Sequence, residues 1–179
     1  MCGMIFAPAA ETDFPALVDL VNSAYRGETS RAGWTTEADY LGGQRTDAET
    51  LRAELAAHPG AVVLVMRDEV DGPLIACVRL EPADDGAWYL GMFTVEPRLQ
   101  NRKLGRALLA EAERFVASRG APVMRMSVIG IRAELLAWYE RRGYVRTGKT
   151  REFPYGDPRF GEPRGEDLTL LVLEKRLDA

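Results

Sequence analysis

The chain has 179 residues, 46% hydrophobic and 28% charged, which is the size and balance of one domain, 1–179, with a real core. Its net charge of −4 argues against a surface built for nucleic acid or an anionic membrane. No stretch approaches the ~20 apolar residues that span a bilayer, so no membrane role is expected.

The N-terminus lacks a basic region followed by a long apolar core, so the expected location is the cytoplasm. Two cysteines fit that reducing compartment. Cys2 is terminal, and Cys77 lies in the apolar run Leu74-Ile75-Ala76-Cys77-Val78, where it reads as a small core residue.

Ile5 to Ala10 reads as a first strand. Asp13 and Pro15 then open a helix with Leu17, Leu20, Val21 and Ala24 at helical spacing. Gly27 to Gly43, rich in Gly, Thr, Arg and acids, reads as a loop or broken helix, and Thr50 to Ala57 as a helix ended by His58-Pro59-Gly60. Ala61 to Arg67 is an apolar strand, and Asp71-Gly72 turns into a second, Leu74 to Leu80. Asp84-Asp85-Gly86 turns again into the strand Ala87 to Val95.

That strand ends at Glu96-Pro97, and a basic turn follows, Arg98-Leu99-Gln100-Asn101-Arg102-Lys103. A helix then runs to about Arg119, with Leu104, Ala107, Leu108, Ala112 and Phe115 on one face. A helix start presents unpaired N–H groups and the positive end of the macrodipole. Arg98, Arg102, Lys103 and Arg106 add full charges around it. Together they predict an anion cradle of the kind that holds a pyrophosphate without a metal.

Val123 to Ile129 alternates as a strand, with Met124, Met126 and Val128 on one side. Arg132 to Arg142 is a helix capped by Gly143, and Tyr144 to Glu152 and Leu168 to Lys175 close the chain as two strands. These seven strands make an α/β (α+β) mixed sheet with helices on both faces. One parallel crossover joins the strand ending at Val95 to Val123–Ile129.

Two segments now resemble one family. Gln100-Asn101-Arg102-Lys103-Leu104-Gly105 resembles the Gln/Arg-x-x-Gly-x-Gly/Ala acyl-CoA loop of the GNAT superfamily of N-acyltransferases. Trp138-Tyr139-Glu140-Arg141-Arg142-Gly143-Tyr144 resembles its second signature, a Tyr near a helix end followed by Gly and an aromatic. The likeness covers residues 60 to 177 well and the first 60 loosely.

The resemblance implies a mostly antiparallel sheet, splayed at its two central parallel strands, and a bacterial-type transfer of acetyl from acetyl-CoA directly to an amine. No metal is implied. Phe93, Thr94 and Val95 would pair with the pantetheine arm as an added strand does, and the Val95 N–H would be the oxyanion donor. Gln100, Asn101, Arg102, Lys103, Leu104, Gly105 and Arg106 would hold the pyrophosphate. Tyr139 would bind the cofactor and protonate the departing thiolate. Family members often pair through their late strands, which implies a homodimer.

Two positions depart from the family pattern. Lys103 replaces the first loop glycine, and can still offer its N–H provided its φ stays negative. Arg132 stands seven before Tyr139, at a cofactor-side position that is often Asn.

The strands beside the expected centre carry no carboxylate, so base candidates come from elsewhere: Glu81, Glu37, Asp39 and Glu96, with His58 ranked last and a water relay as an equal alternative. The acceptor, a small-molecule or peptide amine, is expected on the segment from Tyr25 to Glu37, with Trp34, Glu37 and Glu81 as contacts. A catalytically silent CoA-binding regulatory module is the alternative. A nucleotide triphosphatase finds no Gly-x-x-x-x-Gly-Lys-Ser/Thr loop here.

Overall fold

The structure, a computed structural model, describes residues 3–26, 28–34, 36–38, 41–155, 162–164 and 168–177. Cys2, Asp39 and Tyr40 lie outside the described residues.

Strand β1 (Ile5–Pro8) leads into α1 (Phe14–Tyr25), whose first turn holds Pro15. Its apolar stripe of Phe14, Leu17, Leu20, Val21 and Ala24 is buried. Asp13 does not cap α1 through its side chain. Its carboxylate accepts the Ala10 N–H at 2.9 Å and pairs with Arg67 at 2.6 Å instead. The segment read as a loop holds a short 3-10 turn, Glu28–Ala32, and strand β2 (Leu41–Gly42). Helix α2 (Ala48–Ala57) is capped by the Asp47 side chain on the Thr50 N–H.

Strands β3 (Val62–Arg67), β4 (Ala76–Pro82) and β5 (Trp88–Val95) follow as antiparallel neighbours. Helix α3 (Leu104–Ala117), β6 (Val123–Ile129), α4 (Ala133–Glu140), β7 (Val145–Arg151), β8 (Glu162–Pro163) and β9 (Leu170–Arg176) complete the chain. The seven-stranded sheet has the order β1-β3-β4-β5-β6-β9-β7, and β2 pairs with β8 beside it. The last strand therefore sits inside β7. Its Val172 and Leu173 are buried while β7 is almost wholly exposed, so the apolar strand takes the interior place.

Alternation along the strands feeds two cores. Leu64, Met66, Val78 and Leu80 pack with α3 and α4 residues, while Val63, Val65 and Cys77 pack with α1 and α2. Helices thus cover both faces, and the sheet interior is set by side-chain parity. The feature that positions the site is the central parallel pair. Strands β5 and β6 pair only at Trp88↔Met124 and Tyr89↔Arg125, then part. Beyond that point β5 stays with β4 to Val95, and β6 stays with β9 to Ile129.

Burial makes one pH prediction. Desolvation raises the Tyr25 phenol and the Cys77 thiol to about 12, and raises Tyr139 and Tyr144 as well. Each folded-state value lies above its unfolded value, so stability is intact below that value and falls as pH rises through the window up to the folded one. Each tyrosine contributes a loss of about 1.4 kcal/mol per pH unit above about pH 10. Urea midpoints measured at neutral pH and above pH 10 are expected to fall steeply; a flat profile would contradict the burial of these groups.

Candidate active site

The site begins with a bulge. Cys77 faces Thr94 while Arg79 faces Gly91, so Met92 and Phe93 together stand opposite Val78 alone. Met92 accommodates the extra residue with φ of 52°. Past the bulge the ladder resumes, and the Glu96 N–H bonds the Ile75 carbonyl at 2.9 Å. In an antiparallel ladder alternate residues face alternate edges. Val95 therefore turns its N–H away from β4, toward the gap that β6 has left. The Phe93 carbonyl is fixed by the Tyr25 hydroxyl, which donates to it at 2.7 Å.

After Val95 a 3-10 turn, Pro97–Leu99, leads to the reversal into α3. Asn101 and Lys103 make that reversal with φ of 72° and 62°. The condition of a negative φ at Lys103 is thus not met. The chain must turn sharply within four residues, and the left-handed conformation does this at a cost of about 1 kcal/mol for a residue with a Cβ. Lys103 is the N-cap of α3 and makes no side-chain cap, so the first N–H groups of the helix are left for a ligand.

These parts wall a cleft of about 470 Å³. Phe93, Thr94, Val95, Gln100, Asn101, Lys103, Leu104, Gly105, Arg106, Arg132 and Tyr139 all line it, while Arg102 is exposed and stands outside. Sequence reasoning missed Arg141 and Arg142, which line it too. Their signal was the basic pair after α4. The Arg142 guanidinium lies 3.7 Å over the Trp138 ring and donates to the Trp138 carbonyl at 2.7 Å. An uncapped helix start with Lys103, Arg106, Arg141 and Arg142 around it fits a pyrophosphate-bearing group such as acetyl-CoA.

Trp34 is expected on the acceptor side but lines this cleft. Its N–H donates to Gln100 Oε1 at 3.0 Å, and Gln100 Nε2 donates to the Val95 carbonyl at 3.2 Å. A Cβ on Gly33 would meet Gln100 Oε1 at 2.2 Å, so glycine permits this approach. Gln100 thereby ties the early loop to the end of β5.

A second cavity, about 200 Å³, also has Phe93 in its wall. Arg26, Glu37, Arg45, Arg79, Tyr89, Ser127 and Arg132 supply its polar wall. Glu37 is 9% exposed, and both its oxygens are taken: Oε2 by Arg26 at 3.2 Å, Oε1 by Arg132 at 3.0 Å. Arg132 so bridges the start of α4 to the early segment.

Glu81 lines neither cavity. It pairs with Arg79 at 3.5 Å and faces Tyr89, whereas Val95 faces Ala76. Six steps of extended strand, roughly 20 Å, separate Tyr89 from Val95, so Glu81 sits beside Arg79 and Tyr89 at the edge of the second cavity and far from Val95. Its strand position was legible in the sequence, but not which end of the ladder would open. Glu96 and His58 also line neither cavity.

The two cavities share Tyr25, Phe93, Arg132, Leu135 and Tyr139 as walls. Tyr139 is 4% exposed and stands edge-on to Phe93, Trp138 and Tyr144. Its hydroxyl has no hydrogen-bond partner among the described residues. Burial first, then Tyr25, pushes its pKa up, so it stays protonated at any working pH.

Comparison with known proteins agrees with this geometry. Residues 15–144 match the model of the Acetyltransferase (GNAT) family. The mycothiol acetyltransferase of Beutenbergia cavernae is 31% identical over 85 residues, which is 48% of this chain and 29% of that protein. The chain thus matches less than a third of that relative's length. The fold is shared with the ribosomal-protein-S18-alanine N-acetyltransferase of Escherichia coli, at TM-score 0.69 and 16% identity over 99% of this chain and 96% of that one. It is shared also with the ribosomal-protein-alanine N-acetyltransferase of Brucella melitensis, at TM-score 0.68 and 24% identity over 97% and 99%. The yncA structure from Salmonella typhimurium, solved with its cofactor acetyl-CoA, aligns at TM-score 0.68 and 20% identity over 99% and 95%.

Proposed function

The chain belongs to the GNAT acetyltransferase family, and from that premise we propose that it transfers an acetyl group from acetyl-CoA directly to a primary amine. The observation that carries this reading is the shared wall: a basic cleft and a separate polar cavity meet at Phe93 and Tyr139. That is the arrangement a direct transfer needs, with donor and acceptor held on opposite sides of one reacting centre.

Bound acetyl-CoA supplies an activated thioester carbonyl. The first N–H groups of α3, with Lys103, Arg106, Arg141 and Arg142, hold the pyrophosphate. The free edge of β5 would pair with the pantetheine arm, in the cleft that Phe93 and Leu104 line. The Val95 N–H donates to the carbonyl oxygen as negative charge grows there. Tyr139 holds a proton for the departing sulfur. Burial raises this phenol, so it is protonated and able to donate when the sulfur departs.

No unpaired carboxylate lines the acceptor cavity among the described residues, since Glu37 is held by two arginines. The attacking amine is therefore drawn from its own neutral fraction, and its proton leaves through water. An α-amine with a pKa near ~7.7–8.0 suits such a site.

Incubation of the protein with acetyl-CoA and a panel of amines, following thiol release and the mass of each amine, tests the reading. At least one amine is expected to gain an acetyl group. Tight acetyl-CoA binding with no product on any amine would replace this proposal with the silent CoA-binding module.

A further inference from the structure

The acceptor cavity differs in charge from what an ordinary amine would choose. Four arginines, Arg26, Arg45, Arg79 and Arg132, line it, and Glu37 is the sole acidic residue lining it among the described residues. Arg26 and Arg132 clamp Glu37, and Arg79 is paired with Glu54 and Glu81. Arg45 makes no ion pair among the described residues; its guanidinium lies 5.6 Å over the Tyr25 ring.

The Arg45 backbone is held rigidly. Asn22 of α1 accepts the Arg45 and Thr46 N–H groups at 2.8 and 3.1 Å and donates to the Thr46 carbonyl at 2.9 Å. Tyr25, beneath the guanidinium, is the residue whose hydroxyl fixes the Phe93 carbonyl beside the junction of the two cavities. A fixed, partly buried cation thus faces a cavity whose other charges are already matched. The Ser127 hydroxyl, buried without a hydrogen-bond partner among the described residues, lines the same cavity.

Resting on the acetyltransferase reading above, we infer that the acceptor is a compact amine that also carries an anionic group, and that Arg45 holds that anion. A guanidinium binds a carboxylate or a phosphate by paired, charge-assisted hydrogen bonds. A polycationic amine gains nothing from Arg45 and meets its unmatched positive charge. The cavity of about 200 Å³ limits the acceptor to a small molecule or to the tip of a larger one.

The test compares kcat/KM for glycine and L-alanine, their carboxamides, O-phosphoethanolamine and spermidine, with the wild type, Arg45→Gln and Arg45→Lys. Calorimetry measures binding of the same amines to the CoA-saturated protein. With each kcat/KM divided by the neutral fraction of its amine at the assay pH, the wild type is expected to favour anionic amines over the carboxamides roughly tenfold to hundredfold, the effect of one charge-assisted contact. Whether the amino acids or the phosphoamine leads identifies the anion. In Arg45→Gln the preference collapses to a few-fold, in binding as in turnover, and Arg45→Lys restores part of it. Acetylation of spermidine or the carboxamides at rates per neutral amine equal to or above those of the anionic amines, with no tighter binding of the anionic amines by calorimetry, overturns the inference while leaving the transferase reading intact. An undiminished preference in Arg45→Gln overturns it as well. Absence of any acetylated amine removes the transferase reading and this inference together.

Discussion

Gly105→Glu is expected to weaken acetyl-CoA binding by about 100-fold or more. Gly105 is the second residue of α3, and it lines the basic cleft. A Cβ there would meet Trp138 Cζ2 at 3.5 Å, and Phe93 and Val95 at 3.6 Å, all ordinary contacts. The backbone therefore tolerates a side chain, and Gly105→Ala should fold and bind nearly as well as the wild type. Those three neighbours and Gly105 itself line the cleft, so a glutamate here extends into it. There it places a carboxylate against the N–H groups that the pyrophosphate would use, adding bulk and like charge. Loss of two charge-assisted hydrogen bonds at ~1.5 kcal/mol each gives the stated factor. Calorimetry on the two variants, with thermal melting as a check of folding, reads this directly. Unchanged affinity in Gly105→Glu would move the cofactor away from α3.

Tyr139→Phe is expected to lower kcat about tenfold or more, with acetyl-CoA affinity and Tm nearly unchanged. General acid catalysis is typically worth about 10²–10⁴-fold, and a thiolate with a reference pKa near ~8.5 needs only part of it. The substitution is unusually clean here. The ring remains to pack on Phe93, Trp138 and Tyr144, and the hydroxyl leaves no protein partner unpaired among the described residues. A packing role alone predicts no change in kcat. If kcat on a good amine stays at the wild-type level while chemistry limits the rate, Tyr139 is a core residue and water protonates the sulfur.

The fold was largely legible in the sequence because its signals are local. Turn pairs such as Asp71-Gly72 and Asp84-Asp85-Gly86 marked the hairpins, and the stripe on Leu104–Ala117 marked α3. The anion cradle was legible for the same reason: a strand end, a basic turn and a helix start are consecutive in the chain. What escaped depends on distant partners. The bulge at Met92 arises from how β5 registers on β4, and no residue pattern in β5 announces it. Nothing local in the sequence demands the left-handed conformation that Lys103 adopts.

The acceptor side was the least legible. Trp34 and Glu81 are expected there on type and rough position; Trp34 is held by Gln100 instead, while Glu81 lies just outside the lining, paired with Arg79, which is itself in the cavity wall. Glu37 does line the cavity, but its charge is spent on Arg26 and Arg132. Arg45 went unnoticed because it sits alone in a polar stretch, and only the grip of Asn22, 23 residues earlier, gives it a place. Side-chain destinations across such distances are set by packing, not by spacing.

The central claim is that two substrates meet across Tyr139 and Phe93 and that the acetyl group passes between them without resting on the protein. Cys77, the described cysteine, is fully buried among α1 and α2 residues with its thiol pushed up to about 12, and offers no acyl carrier. Initial rates measured over a grid of acetyl-CoA and amine concentrations decide the matter most directly. Intersecting double-reciprocal lines, with no acetylated protein by mass spectrometry, are the predicted result. Parallel lines together with an acetylated side chain would show a covalent relay and contradict the account.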